Sequence, residues 1–318
     1  MTVLAKDNTA IEMRKVYCET MIEMAAEDKR VMAVDADLVN PIGMMPFKKA
    51  YPDRLIDCGI MEGNMAGVAA GLSMAGFIPF THTFSCFQSR KTIDQTFLTA
   101  GFAQANVKMV GSDPGLLALN NGASHMGLED MGILQNVPNL TLVEPCDAVC
   151  LKAILPMVKD TYGLFYIRMN RKNAETIYDP ATKFEIGKGN VLREGKDVTI
   201  ICSGMMVGES LRAAEKLAAE GIEAKVVDMW TWQPIDEELI IASAKETGAI
   251  VTAENHRKVS GLGSAVARVL SENCPTPLGM LGVDQVYGEV GSQAYLQGVF
   301  GLTVDDIVAK AKETIARK

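Results

Sequence analysis

The 318-residue chain has few of the residues that most often carry chemistry: three histidines and two tryptophans. His82, His125 and His256 lie far apart in sequence, and their spacing alone gives no Ser-His-Asp or Cys-His order. The seven cysteines (18, 58, 86, 146, 150, 202 and 274) include no C-x-x-C pair. Cys146 and Cys150 are four apart, but no His or second Cys pair completes a zinc spacing, so the cysteines read as reduced thiols of a cytoplasmic protein. Long basic runs are missing too. With a formal net charge of -8 and a pI of about 5.1, a role on nucleic acid or on an acidic membrane surface is not expected. No apolar run approaches the roughly 18–20 residues of a membrane span. The opening stretch MTVLAKDNTAIEMRK has no apolar core, so no signal peptide is expected. The phosphate-loop pattern G-x-x-x-x-G-K-[ST] does not occur, and Gly261-x-Gly263 lacks the third glycine of a dinucleotide fingerprint.

What is abundant is apolar. A hydrophobic fraction of 48%, with 19 Met and 28 Gly, suggests much surface buried between subunits. The length suits two ordinary domains. Predicted strands at 30–35, 55–58, 76–80, 107–111, 140–143 and 164–168 alternate with predicted helices at 9–28, 47–51, from Glu62 onward, 92–104, 131–136 and 147–158. That alternation implies parallel βαβ units and one open α/β domain over residues 1–175. A polar connector follows, with the linker placed at 176–192. Residues 193–318 repeat the alternation, with strands at 198–202, 224–228, 249–253 and 278–283, and form a second, smaller α/β domain.

Residues 59–95 are the most suggestive stretch. Glu62 heads a helix of small apolar residues, near the helix's positive end. Phe84 and Phe87 follow a short strand. A partly desolvated carboxylate beside two aromatic faces suits a flat, nitrogen-containing ring; the same residues also suit a buried helix with a capping Glu and two core rings. His125 lies in a polar loop past the C-terminal end of a strand, the edge where open α/β sheets bind ligands, although a loop histidine bonded to backbone fits equally. Arg14 and Arg171 each adjoin the end of an α/β element. Each could clamp a phosphate or similar anion, or form an ordinary surface ion pair.

Taken together, these segments resemble a known family. Ile60-Met61-Glu62-Gly63-Asn64-Met65, Gly76-x-x-Pro79-Phe80, Thr83-Phe84-x-x-Phe87 and Asp94-Gln95 are similar to the pyrimidine-binding domain of transketolase. Gly122-Ala123-Ser124-His125 resembles that family's G-x-T-H-Q loop. Asp228–Asp236, Glu254-Asn255-His256, Gly261–Val266 and Gly301-Leu302-Thr303 resemble transketolase C-terminal domains. The resemblance spans essentially the whole chain. It implies an α/β fold of two consecutive domains, a thiamine-diphosphate-binding, pyrimidine-type domain with a parallel sheet and a smaller transketolase C-terminal domain.

One family motif is missing. Thiamine diphosphate enzymes carry Gly-Asp-Gly followed by Asn to hold the metal and diphosphate, and no Gly-Asp-Gly occurs here. The chain therefore resembles the C-terminal half of a split transketolase. The diphosphate and Mg²⁺ would be held by a separate N-terminal subunit, in an α2β2 heterotetramer. Carried over by position, Glu62 would hydrogen-bond the aminopyrimidine, Phe84 and Phe87 would stack on it, and Leu38 would pack on the same ring. His125 would lie near the reacting carbonyl of the donor sugar, and Arg14 and Arg171 would grip its phosphate. Three positions depart from the pattern. Asp113 stands where a phosphate-contacting His is usual, Asn121 where an Asp reads a donor hydroxyl, and Arg90 where a Tyr often joins the aromatic cluster. A carboxylate in a phosphate pocket weakens phosphate binding, and Arg90 would compensate for Asp113 or receive a different anion. The implied activity is transfer of a two-carbon ketol unit from a ketose to an aldose phosphate, with a modified sugar as donor suggested by the altered pocket. The rival readings are the β subunit of a 2-oxo-acid dehydrogenase and a non-catalytic scaffold.

Overall fold

Buried runs of apolar and β-branched residues form the strands, and the stretches between them form helices that cover the sheet faces. The computed structural model describes residues 2–7 and 9–318. The chain folds as two consecutive α/β domains. The first contributes β1 (Ala10–Glu12), β2 (Val31–Asp35), β3 (Leu55–Asp57), β4 (Ile78–Phe84), β5 (Lys108–Ser112), β6 (Thr141–Val143), β7 (Phe165–Met169) and β8 (Asn173–Glu175). The remainder supplies β9 (Asn190–Arg193), β10 (Val198–Cys202), β11 (Ala224–Asp228), β12 (Thr231–Gln233), β13 (Ile250–Arg257) and β14 (Leu278–Val283).

The larger sheet runs β12-β6-β7-β5-β4-β2-β3 and the smaller β14-β13-β10-β11-β9. Pairings within them are parallel except at two edges, where β12 opposes β6 and β9 opposes β11. Every position of β2, β4, β5 and β7 is buried, as helices on both faces of a parallel sheet require. Register brings the strand ends level. Asp35 lies opposite His82, Phe84 opposite Ser112, and Ser112 opposite Met169. One carboxyl edge of the sheet thus collects Asp35, Phe84, Asp113 and the approach to Arg171, at the place where open α/β sheets take ligands.

Four expectations change. The helix expected from residue 9 begins at Met13, because Ala10–Glu12 pair antiparallel with Asn173–Glu175. The strand expected at 76–80 runs from Ile78 to Phe84, so Phe84 ends a strand and Phe87 sits on the short helix Ser85–Arg90. The helix expected over 92–104 is broken into Ile93–Gln95 and a π-helical turn, Thr96–Phe102. Finally, β12 comes from the later part of the chain yet completes the first sheet.

The two domains are joined by buried polar groups. Arg168 donates to Asp130 at 2.9 Å and to Glu144 at 2.5 Å on its own side, and to the Asn255 carbonyl at 2.8 Å on the other. The Asn255 side chain accepts from Leu116 N at 2.9 Å and donates to the Pro114 carbonyl at 3.0 Å. The second domain therefore fastens the loop that leaves β5. A fully buried ion set of this kind fixes geometry more than it stabilises, since each charge has first lost its water.

Candidate active site

Glu62 is the first residue of the helix Glu62–Met74 and is only 5% exposed. Lys91, one residue past the Ser85–Arg90 helix, reaches back and donates to Glu62 Oε1 at 2.9 Å. The same ammonium lies 4.2 Å above the centroid of the Phe87 ring. Phe87 meets Phe84 edge-on at 6.1 Å, and His125 packs against both, at 5.1 Å from Phe87 and 5.6 Å from Phe84. The carboxylate and the three rings are thus one constellation, linked through Lys91. Along the strand-to-helix turn beneath it, Thr83 Oγ1, Ser85 Oγ and Gln88 Nε2 are buried with no hydrogen-bond partner among the described residues. A buried acceptor beside ring faces, with spare polar atoms on the same turn, fits the aminopyrimidine end of thiamine diphosphate.

His125 is half-buried and exchanges a hydrogen bond with Ser124 Oγ at 2.9 Å. Burial, with the nearby charges of Arg90 and Lys91, holds its imidazole below the ordinary histidine value. It is therefore neutral at neutral pH and can donate from one ring nitrogen while accepting at the other.

Arg171 continues the constellation outward. Its guanidinium lies 5.1 Å from the Phe84 ring centroid, its Nε donates to Asp113 Oδ2 at 2.6 Å, and its Nη1 donates to the Pro41 carbonyl at 3.2 Å. Arg14 Nη1 donates to the same Pro41 carbonyl at 2.9 Å, and its Nε pairs with Glu12 at 2.7 Å. Both arginines line an open cleft of about 690 Å³ with Cys18, Asn40, Pro41 and Met45. Asp113 is buried, and its Oδ1 has no partner among the described residues. Burial raises its carboxyl above the ordinary aspartate value, and the opposing pull of Arg171 is the smaller effect. The residue sits at φ +51°, a left-handed backbone that aspartate adopts more readily than most side-chain-bearing residues, held by its N–H on Met169 O at 3.1 Å.

Other expected residues fall less centrally. Leu38 is half-buried, with its N–H on the Asp35 carboxylate. Asn121 is exposed at the end of the 3₁₀ turn Gly115–Asn121. Arg90 does not compensate for Asp113, because Arg171 already does. Arg90 instead donates to the Ser124 carbonyl at 3.0 Å and pairs with Glu129 at 3.1 Å, bracing the His125 loop.

Two features escape a reading of the sequence. Lys91 is four residues after Phe87, the spacing that stacks side chains along a helix, and only that spacing hints at it. His82 is a buried relay, with Nδ1 2.9 Å from Asp35 Oδ2 and Nε2 3.0 Å from Ser112 Oγ. It ties three strand ends together beneath the Leu38 and Asp113 turns. Nothing in the spacing of these three residues shows it. Among the described residues, no group of three His, Cys, Asp or Glu side chains converges as metal ligands do, and no helix is long and apolar enough to cross a membrane.

Known families place this geometry. The family model for the transketolase pyrimidine-binding domain matches residues 9–176, and that for the transketolase C-terminal domain matches residues 187–307. The chain belongs to the transketolase family. Within it, this transketolase chain is 47% identical over 306 residues to the 6-deoxy-6-sulfo-D-fructose transketolase subunit SqwH of Clostridium sp. (strain MSTE9), covering 96% of this chain and 95% of that protein. It is 32% identical over 311 residues to an apulose-4-phosphate transketolase subunit of Phocaeicola vulgatus, covering 98% of this chain and 99% of that one. A solved structure, "Split gene transketolase, inactive beta4 tetramer", matches with a TM-score of 0.90 at 40% identity, covering 96% of this chain and 98% of that chain.

Proposed function

We propose that this chain is the C-terminal subunit of a two-chain, cytoplasmic transketolase that moves a two-carbon ketol unit from a modified ketose to an aldose phosphate. The observation that carries this reading is the joining of Glu62, the Phe84–Phe87–His125 rings and Arg171 at one sheet edge. When bound, thiamine diphosphate supplies a carbon nucleophile able to break and re-form the bond beside a ketose carbonyl. Glu62 holds the proton at the aminopyrimidine N1′, and Phe84 and Phe87 present ring faces to the pyrimidine, with Leu38 beside it. Neutral His125 orients the donor's carbonyl and adjoining hydroxyl. Asn121 reads a further hydroxyl, and Arg14 and Arg171 receive the anionic end of the sugar.

The diphosphate and Mg²⁺ are assigned to a separate N-terminal chain in an α2β2 assembly. The missing Gly-Asp-Gly supports this, as do the relatives named as subunits. So does the exposed apolar surface at both ends of the helix that Glu62 begins. Ile60 and Met61 precede it, Met74 ends its helix, and Phe102 closes the π turn packed against that helix, at 69%, 58%, 70% and 82% exposure. Apolar side chains this open, on the helix that carries Glu62 and the turn packed against it, suit a protein partner.

The sugar's anion is the second element of the proposal. Arg171 is offset by Asp113, and Arg14 by Glu12. A cleft so balanced favours a sulfonate, with one charge, over a phosphate ester, which carries nearly two at neutral pH. The donor class that fits is a sulfonated ketose such as 6-deoxy-6-sulfo-D-fructose, the sugar in the name of the Clostridium relative. To test this, the subunit is combined with the N-terminal chain, thiamine diphosphate and Mg²⁺, and turnover of the sulfonated ketose is compared with that of xylulose 5-phosphate. The sulfonated donor is expected to turn over faster, and the reverse order removes the substrate assignment. Release of CO₂ from a 2-oxo acid decides for the dehydrogenase reading, and full activity of Glu62→Ala decides for the scaffold.

A further inference from the structure

We propose that Lys91 is an internal competitor for the cofactor's ring and so sets how tightly the site is loaded. The inference rests on the site assignment above. Glu62 and Phe87 offer a ring two things, a buried hydrogen-bond acceptor and an aromatic face. Lys91 takes both with one atom, its Nζ being 2.9 Å from Glu62 Oε1 and 4.2 Å from the Phe87 centroid. An ammonium over an aromatic face and against a carboxylate makes a cation–π contact and a charge-assisted hydrogen bond at once. A flat heterocycle with a protonated nitrogen would make the same pair of interactions. The two cannot share the space between acceptor and ring.

The asymmetry in burial says which partner moves. The Glu62 side chain is 6% exposed and the Lys91 side chain 45%. Glu62 is fixed at a helix start, while Lys91 is held by a flexible stem with its head at the solvent boundary. Loading therefore swings Lys91 outward and leaves Glu62 in place. Lys91 also keeps the carboxylate paired before loading, which an unpaired buried charge would make costly. Its removal exposes that cost and raises affinity for any other cationic or N–H-bearing partner.

The reconstituted two-chain protein is titrated with thiamine diphosphate in excess Mg²⁺ by calorimetry, using wild type, Lys91→Met and Lys91→Arg. Lys91→Met keeps the stem and removes the charge, and is expected to lower the Kd by about tenfold. Lys91→Arg restores a cation over Phe87 and is expected to bind close to wild type. The rise in melting temperature on adding saturating cofactor provides a second readout and should be larger for Lys91→Met than for wild type. Unchanged or weaker binding in Lys91→Met overturns the proposal. Glu62→Gln and Phe87→Ala separate it from the site assignment. If both bind cofactor as wild type does, the assignment itself fails; if both bind weakly while Lys91→Met gains nothing, only the role of Lys91 fails.

Discussion

At Asp113 a single carboxylate offsets Arg171, one of the two arginines that line the cleft. It is buried, paired on one oxygen with Arg171 at 2.6 Å and unpaired on the other. Replacing it with Asn keeps the shape and frees the Arg171 charge. We expect Asp113→Asn to lower KM for a phosphorylated donor by roughly tenfold, with a much smaller effect on a sulfonated one. Equal changes for the two donors would show that Asp113 does not discriminate by charge. His125 gives a second residue-level test. The charges of Arg90 and Lys91 add to burial in holding its pKa down. Arg90→Gln removes one of them, so the pKa rises and the protonated form persists to higher pH. If neutral His125 is the active form, the acid limb of the kcat/KM profile moves upward in Arg90→Gln. A limb that stays where it was, or moves to lower pH, contradicts that role.

At the scale of elements, the loop leaving β5 depends on the other domain. Asn255 satisfies Leu116 N and the Pro114 carbonyl, both buried, and Gly115 between them comes so close that a Cβ would lie 2.4 Å from Asn255 Oδ1. Asn255→Ala leaves the buried Leu116 N–H unpaired, while the Pro114 carbonyl keeps the Leu117 N–H at 3.1 Å, a loss of about 1–3 kcal/mol. Because Asp113 lies just before this loop, the variant should also raise KM for the donor sugar, and denaturant unfolding with steady-state kinetics would show both. The sequence revealed the alternation of β2 to β7 and of β10, β11, β13 and β14, since each contains a cluster of apolar residues between helical stretches. It concealed β1, β8 and β12, whose three residues carry no period and whose partners are distant in sequence. The same holds at the site. Glu62, Phe84, Phe87 and His125 stood out by type and motif. Lys91 and the buried Asp35–His82–Ser112 relay depend on which way side chains turn, which residue order does not record. Arg90 was singled out by its position in the family pattern, as a group to compensate Asp113 or receive another anion, and the fold pairs it with Glu129.

At the scale of the molecule, the joint between the domains and the connector is lined with buried acids whose charging opposes folding. Asp228, at the end of β11, accepts from the connector's Tyr178 hydroxyl at 2.7 Å, while its Oδ1 has no partner among the described residues. Burial pushes its pKa up from 3.8 to about 7, the more so with Asp147 and Glu144 nearby. Burial likewise raises Glu254, at the other face of the joint, to about 8. A carboxyl raised on folding is protonated in the native state, so the stability it contributes is full below its unfolded value and is lost as pH rises through the folded one. For Asp228 that window lies between about 4 and 7, and the loss on crossing it is on the order of 4 kcal/mol. Asp228→Asn accepts from Tyr178 equally well and carries no charge at any pH. Its melting temperature should therefore gain on wild type steadily as pH rises from 5 to 8, by several degrees in all. Calorimetric scans of both proteins across that range measure the difference directly. A difference that stays constant with pH would mean that Asp228 is already ionised in the native fold and paired by groups other than Tyr178.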